Sequence, residues 1–145
     1  MSRTSFYTAA VHAGEDHSEH FGALSVPIYT ASTFAFSDAD EASAIHNEEK
    51  PGYYYGRLGN PTQDALERTI AELENADAAL ALASGMAAVS AAVFTACRSG
   101  GHIVAPESGY STTTNFLHHI AERFGIETTF VDAADAEKHG LARAR

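Results

Sequence analysis

Ala78-Ala-Leu-Ala-Leu-Ala-Ser-Gly-Met-Ala-Ala88 is the stretch that decides the fold class. The short apolar run Ala78 to Ala83 reads as a buried strand. Ser84-Gly85 then turns the chain into a helix running from Met86 to about Cys97, which Gly100-Gly101 stops. Further on, His102 to Ala105 reads as a second strand, closed by Pro106. Ser108-Gly-Tyr-Ser111 leads into a helix from about Thr112 to Phe124, ended by Gly125, and Ile126 to Val131 reads as a third strand. Working back toward the N-terminus, Asn60-Pro61 is a helix start. Asn serves as the cap, and Pro takes the first position, where a missing N–H costs nothing. Leu66, Ile70 and Leu73 recur at helical spacing to about Glu74. Strands and helices that alternate in this way imply an α/β architecture with a parallel sheet and helices on its faces.

The residues before Asn60 follow a different grammar. Pro27 and Pro51 break the segment, and Gly14 to Gly22 is polar and His-rich. Val26 to Tyr29 and Ser32 to Phe36 read as short extended pieces. Asp38 to His46 reads as one short helix capped by Ser37. The apolar positions are too few for a core of their own. The sequence therefore divides into an extended N-terminal arm, 1–59, that packs on something else, and an incomplete α/β large domain, 60–145.

Composition narrows the function classes. The 145 residues are 45% hydrophobic and 19% charged, the balance of a chain that forms a core, and the length suits one domain. Nine Lys plus Arg against nineteen Asp plus Glu give a formal net charge of -10. That excludes the basic surface that a nucleic-acid binder or a protein docking on anionic membrane needs. Cys97 is the one cysteine, so no internal disulfide forms, and the N-terminus lacks the apolar core of a signal peptide. Both fit a cytoplasmic protein. The most apolar stretch, Ala78 to Cys97, is mostly alanine and is interrupted at Ser84-Gly85, which favours a soluble domain over a membrane span.

Few residues are placed for chemistry. Ser84-Gly85-Met86 lies where a strand gives way to a helix. Ligands of parallel α/β sheets bind outside the carboxyl ends of strands. A helix start offers free N–H groups and a positive dipole end to a phosphate, and glycine permits close approach. A plain turn explains the same glycine, and the local pattern leaves both readings open. Tyr110, after Gly109, is either a ring that stacks on a flat ligand or a half-buried loop aromatic. In Tyr53-Tyr-Tyr-Gly-Arg57, Tyr55 and Arg57 are two apart and point to one side if extended. A phenol and a guanidinium fork together could clamp a phosphate. His12, His17 and His20 lie among Glu15, Asp16 and Glu19, a spacing that arises easily in a polar loop, so no metal site is assigned. His118 and His119 are adjacent on a helix and diverge. Cys97 reads as a small buried hydrophobe, and Glu48-Glu49-Lys50 as a solvated charge run.

Taken in order, seven stretches resemble the Cys/Met-metabolism family of pyridoxal-phosphate enzymes. They are His12-Ala-Gly14, Val26-Pro-Ile-Tyr-Thr-Ala-Ser-Thr-Phe34, Tyr54-Tyr-Gly-Arg-Leu-Gly-Asn-Pro-Thr62, Leu73-Glu74, Ala83-Ser-Gly-Met-Ala-Ala88, Gly101-His-Ile-Val104 and Tyr110. The resemblance implies the parallel-sheet portion of a PLP-transferase (fold type I) large domain, with pyridoxal 5'-phosphate as cofactor. It implies that Gly85 and Met86 give backbone N–H groups to the cofactor phosphate. Tyr55 and Arg57 would clamp that phosphate in the neighbouring subunit's site. Tyr110 would stack over the pyridine ring and act in proton transfer, as the catalytic residue of this part of the chain. It also implies a homo-oligomer, a dimer of dimers in complete family members.

The resemblance further implies a transsulfuration enzyme that forms or cleaves C–S bonds. The reactions are β- or γ-elimination or γ-replacement on homoserine esters, cystathionine or methionine. O-acetylhomoserine sulfhydrylase, cystathionine γ-synthase and methionine γ-lyase types share these motifs. The chain departs from the family in length. The family's cofactor-linking lysine lies beyond the third strand, and only Lys50 and Lys138 occur here, neither in that motif. Gly100-Gly101 replaces the usual Gly-Asp. Leu141-Ala-Arg-Ala-Arg145 does not resemble the family's continuation. The first expectation is thus the N-terminal portion of such an enzyme. The alternative is a non-catalytic fragment that only associates with full-length subunits. An unrelated nucleotide-binding domain is disfavoured, because neither GxGxxG nor GxxxxGK[ST] occurs.

Overall fold

The structure, a computed structural model, describes residues 5–134. Lys138 and the segment Leu141 to Arg145 lie outside the described residues. The chain falls into two compact units, one up to Ala81 and one from Leu82.

Among the described residues the first unit contains three helices: α1 (Phe6–His12), α2 (Ala39–His46) and α3 (Pro61–Glu74). Helix α3 follows the sequence reading closely. The Asn60 side chain accepts from the Thr62 N–H at 2.9 Å, Pro61 opens the first turn, and Asn75 closes the helix in the left-handed conformation. Helix α1, which no periodicity announced, begins where the Ser5 hydroxyl accepts from the Thr8 N–H at 3.3 Å. It packs on α3, with Ala9 and Ala65 buried. The Thr69 hydroxyl lies 2.7 Å from the Ala13 carbonyl just beyond α1. The cap of α2 differs from expectation: Asp38, not Ser37, accepts from the Glu41 N–H, at 2.8 Å. Ser37 sits one residue further out, where its N–H and hydroxyl both donate to the Glu41 carboxylate. The carboxylate of Asp38 reaches the orphan N–H, and Glu41 reaches back, so the two share the helix start.

Residues 26–36 form neither helix nor strand, and the chain bends at Ser32. They make a single antiparallel bridge, Thr33 to Tyr55, flanked by Gly56 N–H to the Ser32 carbonyl at 2.7 Å and Phe34 N–H to the Tyr54 carbonyl at 3.3 Å. The expected buried strand at Ala78 to Ala83 is also absent. The segment carries no ladder, and Leu80 is 70% exposed. An apolar run becomes a strand only where a neighbouring strand takes its backbone groups. Among the described residues the segment finds one such tie in its own unit, from the Ala81 N–H to the Glu67 carboxylate at 2.7 Å.

The second unit begins with α4 (Gly85–Ala96), followed by β1 (His102–Pro106), α5 (Ser111–Phe116) and β2 (Glu127–Val131). Helix α5 continues as a π-helical turn, Leu117–Ala121, and a 3-10 turn, Glu122–Phe124. The strands pair in parallel, with His102 opposite Glu127 and Pro106 opposite Val131. The connection between them is helical, as a parallel pair requires. The sheet therefore has two strands among the described residues, where the sequence suggested three. Ala105, Leu117, Ala121 and Ile126 form the core, with Val93, Cys97, Ile103, Phe116 and Phe130 packed against it. Burial of Leu117 and Ile126 contributes about 1.5–3 kcal/mol each. Cys97 thus joins the apolar packing, half-buried.

Candidate functional site

Two helix starts meet in the second unit. At α4, Ser84 has extended backbone angles, and its hydroxyl accepts from the Ala87 N–H at 3.1 Å. The first two N–H groups of the helix, those of Gly85 and Met86, have no carbonyl four residues back to accept them. Gly85 faces open space: a Cβ built there would meet nothing within 4 Å. At α5, the Tyr110 carbonyl accepts from the Thr113 and Thr114 N–H groups at 2.9 and 3.2 Å, while its side chain makes no capping bond and is 68% exposed. Helices α4 and α5 pack together, and the Thr113 hydroxyl donates to the Met86 sulfur at 3.6 Å. Gly85, Met86 and Tyr110 therefore belong to one local arrangement, with Tyr110 at the start of α5, separated from the end of β1 by three residues. Thr113 was not singled out in the sequence. Its only signal there is its place three residues after Tyr110, one turn into the helix.

Tyr55 and Arg57 belong to the first unit. The Arg57 guanidinium lies over the Tyr55 ring, its carbon 5.5 Å from the ring centroid. The guanidinium meets the ring across a turn closed by the Leu58 N–H to the Tyr55 carbonyl at 2.7 Å, not along the extended chain that the two-residue spacing presumed, and a cation over an aromatic face is itself favourable. Among the described residues, Arg57 has no carboxylate partner within ion-pair distance. The other tyrosines of the run are occupied. The Tyr53 hydroxyl donates to the Asp64 carboxylate at 2.7 Å, and Tyr54 stacks on Phe36 with centroids 5.0 Å apart. Burial, together with the Asp64 bond, pushes the Tyr53 phenol well above its ordinary range.

These groups suit a phosphate ester. In the second unit, the free N–H groups at the start of α4 and the open space over Gly85 offer donors and room; separately, in the first unit, the Arg57 guanidinium offers a fork of donors. The histidines of the N-terminal loop do not converge. The His12 ring meets Glu15 at 3.3 Å, His17 the Ala23 carbonyl at 2.9 Å and His20 the Tyr29 hydroxyl at 3.1 Å. Among the described residues no three His, Cys, Asp or Glu groups gather as metal ligands would. His118 stacks on Phe130 with centroids 4.2 Å apart, while the His119 ring centroid lies 6.1 Å from that of His118. Glu48, Glu49 and Lys50 are all exposed, as a solvated charge run should be, with the Lys50 ammonium paired to the Glu41 carboxylate at the surface. No described helix is long and apolar enough to cross a membrane.

Comparison with known proteins points the same way. The sequence pattern of the Cys/Met metabolism PLP-dependent enzymes matches residues 7–143. L-methionine gamma-lyase of Fusobacterium nucleatum is 40% identical over 138 residues, covering 95% of this chain and 35% of the relative. O-acetyl-L-homoserine sulfhydrylase of Leptospira meyeri is 38% identical over 130 residues, covering 90% and 29% respectively. The crystal structure of metB from Corynebacterium glutamicum superposes with a TM-score of 0.84 at 35% identity, over 96% of this chain and 34% of that one. A putative O-acetylhomoserine (thiol)-lyase from Campylobacter jejuni, which carries N'-pyridoxyl-lysine-5'-monophosphate, gives 0.82 at 30% identity, over 95% and 34%. The chain spans about a third of the length of the relatives it matches.

Proposed function

The chain belongs to the Cys/Met metabolism family of pyridoxal-phosphate-dependent enzymes, with the α/β architecture of fold type I, and on that premise we propose that it supplies the N-terminal part of their cofactor site. The whole protein is a transsulfuration enzyme, forming or cleaving C–S bonds by β- or γ-elimination or γ-replacement. Its substrates are sulfur-containing amino acids or activated homoserine esters. The observation that carries the reading is the pairing of two helix starts in the second unit, with open space over Gly85.

Each residue has a defined part. The N–H groups of Gly85 and Met86 bind the phosphate at the positive end of α4. Tyr110, exposed after β1, stacks on the cofactor ring, and its hydroxyl holds or passes a proton at the substrate carbon. Tyr55 and Arg57 complete the phosphate site of a neighbouring subunit in a homo-oligomer. When bound, pyridoxal phosphate supplies the electron sink that this chemistry requires.

A second reading is a chain that associates with lysine-bearing subunits and catalyses nothing alone. It is favoured by Lys50 being the one lysine among the described residues and lying outside the family's lysine motif.

One titration tests the cofactor reading. Pyridoxal phosphate should bind the protein more tightly than pyridoxal, because the phosphate carries most of the contacts named above. Equal affinities, or binding of neither, would overturn it. Assay of 2-oxo acid release from L-methionine and L-cystathionine, and of homocysteine formation from O-acetylhomoserine and sulfide, separates the two readings. Turnover by this chain alone would exclude the non-catalytic one.

A further inference from the structure

We infer that Asn60 and Thr62 are positioning residues for Arg57, holding the loop that carries it through hydrogen bonds unrelated to helix capping. The inference rests on the proposed role of Arg57 as a phosphate clamp.

Arg57 lies in the five-residue loop Gly56 to Asn60. At one end, the Gly56 N–H donates to the Ser32 carbonyl at 2.7 Å. At the other, the Asn60 amide nitrogen donates to the Ala31 carbonyl at 3.3 Å and to the Tyr29 carbonyl at 3.1 Å. The two ends of the loop are therefore pinned to two consecutive carbonyls of one segment. Thr62 holds that segment from the first turn of α3. Its hydroxyl accepts from the Tyr29 N–H at 2.8 Å and donates to the Pro27 carbonyl at 3.1 Å. The Phe34 N–H to Tyr54 carbonyl bond continues the tie past Tyr55, whose ring lies under the guanidinium. The result is a closed circuit that runs from α3 through residues 27–34 to Tyr55 and Gly56, then through Arg57 back to α3.

Residue choice supports the circuit. Ser, Thr or Asp at position 60 would cap α3 about as well as Asn. Only Asn offers a cap acceptor and, on the same side chain, two donors for carbonyls. Its oxygen caps Thr62 while its nitrogen ties down Tyr29 and Ala31. At position 62 the backbone N–H takes the cap, and the hydroxyl is left for the segment from Pro27 to Tyr29. A flexible arginine loses entropy when it grips a ligand, and a loop fixed at both ends reduces that loss.

Substitution separates capping from tethering. Asn60→Ser keeps a capping oxygen and removes the amide donors, Thr62→Val removes the hydroxyl and keeps the shape, and Thr62→Ser restores it. Amide hydrogen exchange is measured on the full chain, alongside pyridoxal phosphate titration with Arg57→Ala as reference. Loss of a net hydrogen bond corresponds to about two- to ten-fold in an equilibrium. Asn60→Ser and Thr62→Val should therefore speed exchange at Gly56 by roughly that factor. Exchange at Asp64, whose N–H bonds the Asn60 carbonyl, should stay near that of the parent, and Thr62→Ser should behave as the parent. Cofactor affinity should fall in the same two variants, by less than in Arg57→Ala. Unchanged exchange at Gly56, or a Gly56 amide already unprotected in the parent, would overturn the tether. If Arg57→Ala weakens binding while both tether variants bind as the parent, the positioning role is overturned. If Arg57→Ala binds as the parent, the phosphate-clamp reading fails instead, and altered exchange at Gly56 would still establish the tether.

Discussion

The hydroxyl of Thr113 donates to the sulfur of Met86 at 3.6 Å, tying the helix that begins beside Tyr110 to the helix that begins at Gly85. The proposed phosphate donors and the proposed ring-stacking residue thus sit on two helices that this bond joins, together with the edge-to-face pair of Phe94 and Phe116. A bond from hydroxyl to thioether is weak, and sulfur is a poor acceptor. Thr113→Val should lower the stability of this unit by no more than about 0.5 kcal/mol, the low end for a hydrogen bond. Chemical denaturation followed by circular dichroism checks this, and a stability equal to the parent would show that the contact is incidental.

Gly85→Ala separates folding from cofactor binding. The position is the first of α4 and has open space around it, so the fold accepts a methyl group. Stability should hold or rise by about 0.4–1 kcal/mol, because alanine restricts the unfolded chain. The methyl group occupies the space where a phosphate would approach, so affinity for pyridoxal phosphate should fall. Parallel thermal melts and cofactor titration read the two effects. Undiminished affinity would move the phosphate away from Gly85.

Arg57→Ala removes a cation that has no carboxylate partner among the described residues. A hydrogen bond to a charged group contributes about 1.5–3 kcal/mol. The affinity for pyridoxal phosphate should fall by on the order of ten- to a hundred-fold. Affinity for pyridoxal, which lacks the phosphate, should not change. An equal loss for both ligands would assign Arg57 to the ring or to the fold.

Gly125 ends the helix after α5 with φ of +74°, and a Cβ there would lie 2.6 Å from the Ser99 hydroxyl. Gly125→Ala therefore meets both the left-handed penalty of about 1–2 kcal/mol and a collision. The second unit should melt lower by roughly 4–8 °C per kcal/mol lost. A melting temperature equal to the parent would mean that the turn relaxes without cost.

Glu41 gives the first unit an acid-sensitive joint. Hydrogen bonds from Lys50 and Ser37 hold its carboxyl down at about 2, from an ordinary value of 4.5. A carboxyl with a lowered folded value stabilises fully above its unfolded value. The contribution shrinks below about pH 4.5 and is gone once the pH falls through about 2. Acid titration of the helical signal should show a loss in that window, and Glu41→Gln should remove it. A Gln variant with the same acid transition would place the cause elsewhere.

Much of this was legible where the cause is local. Asn60 capping α3, Pro61 in its first turn, Ser84 before Gly85 and Gly125 after the last helical turn all act within a few residues, so the sequence alone determined them. The family followed from motifs in order; the approach of Arg57 to Tyr55 did not follow from a spacing of two, because the chain turns between them. Tertiary structure decided the rest. Ala78 to Ala83 has the composition of a buried strand, yet a strand exists only where another strand takes its backbone groups, and none does so among the described residues. Helix α1 is too short to declare itself by periodicity; burial of Ala9 and packing against α3 hold it. Ser37 and Asp38 are both good caps by type, so the sequence does not separate them; the Asp38 carboxylate taking the Glu41 N–H while Glu41 reaches back to Ser37 does. Asn60 reads as a cap from its neighbours alone. Its two donor bonds to Tyr29 and Ala31 join residues some thirty positions apart, and no local pattern encodes a contact over that distance.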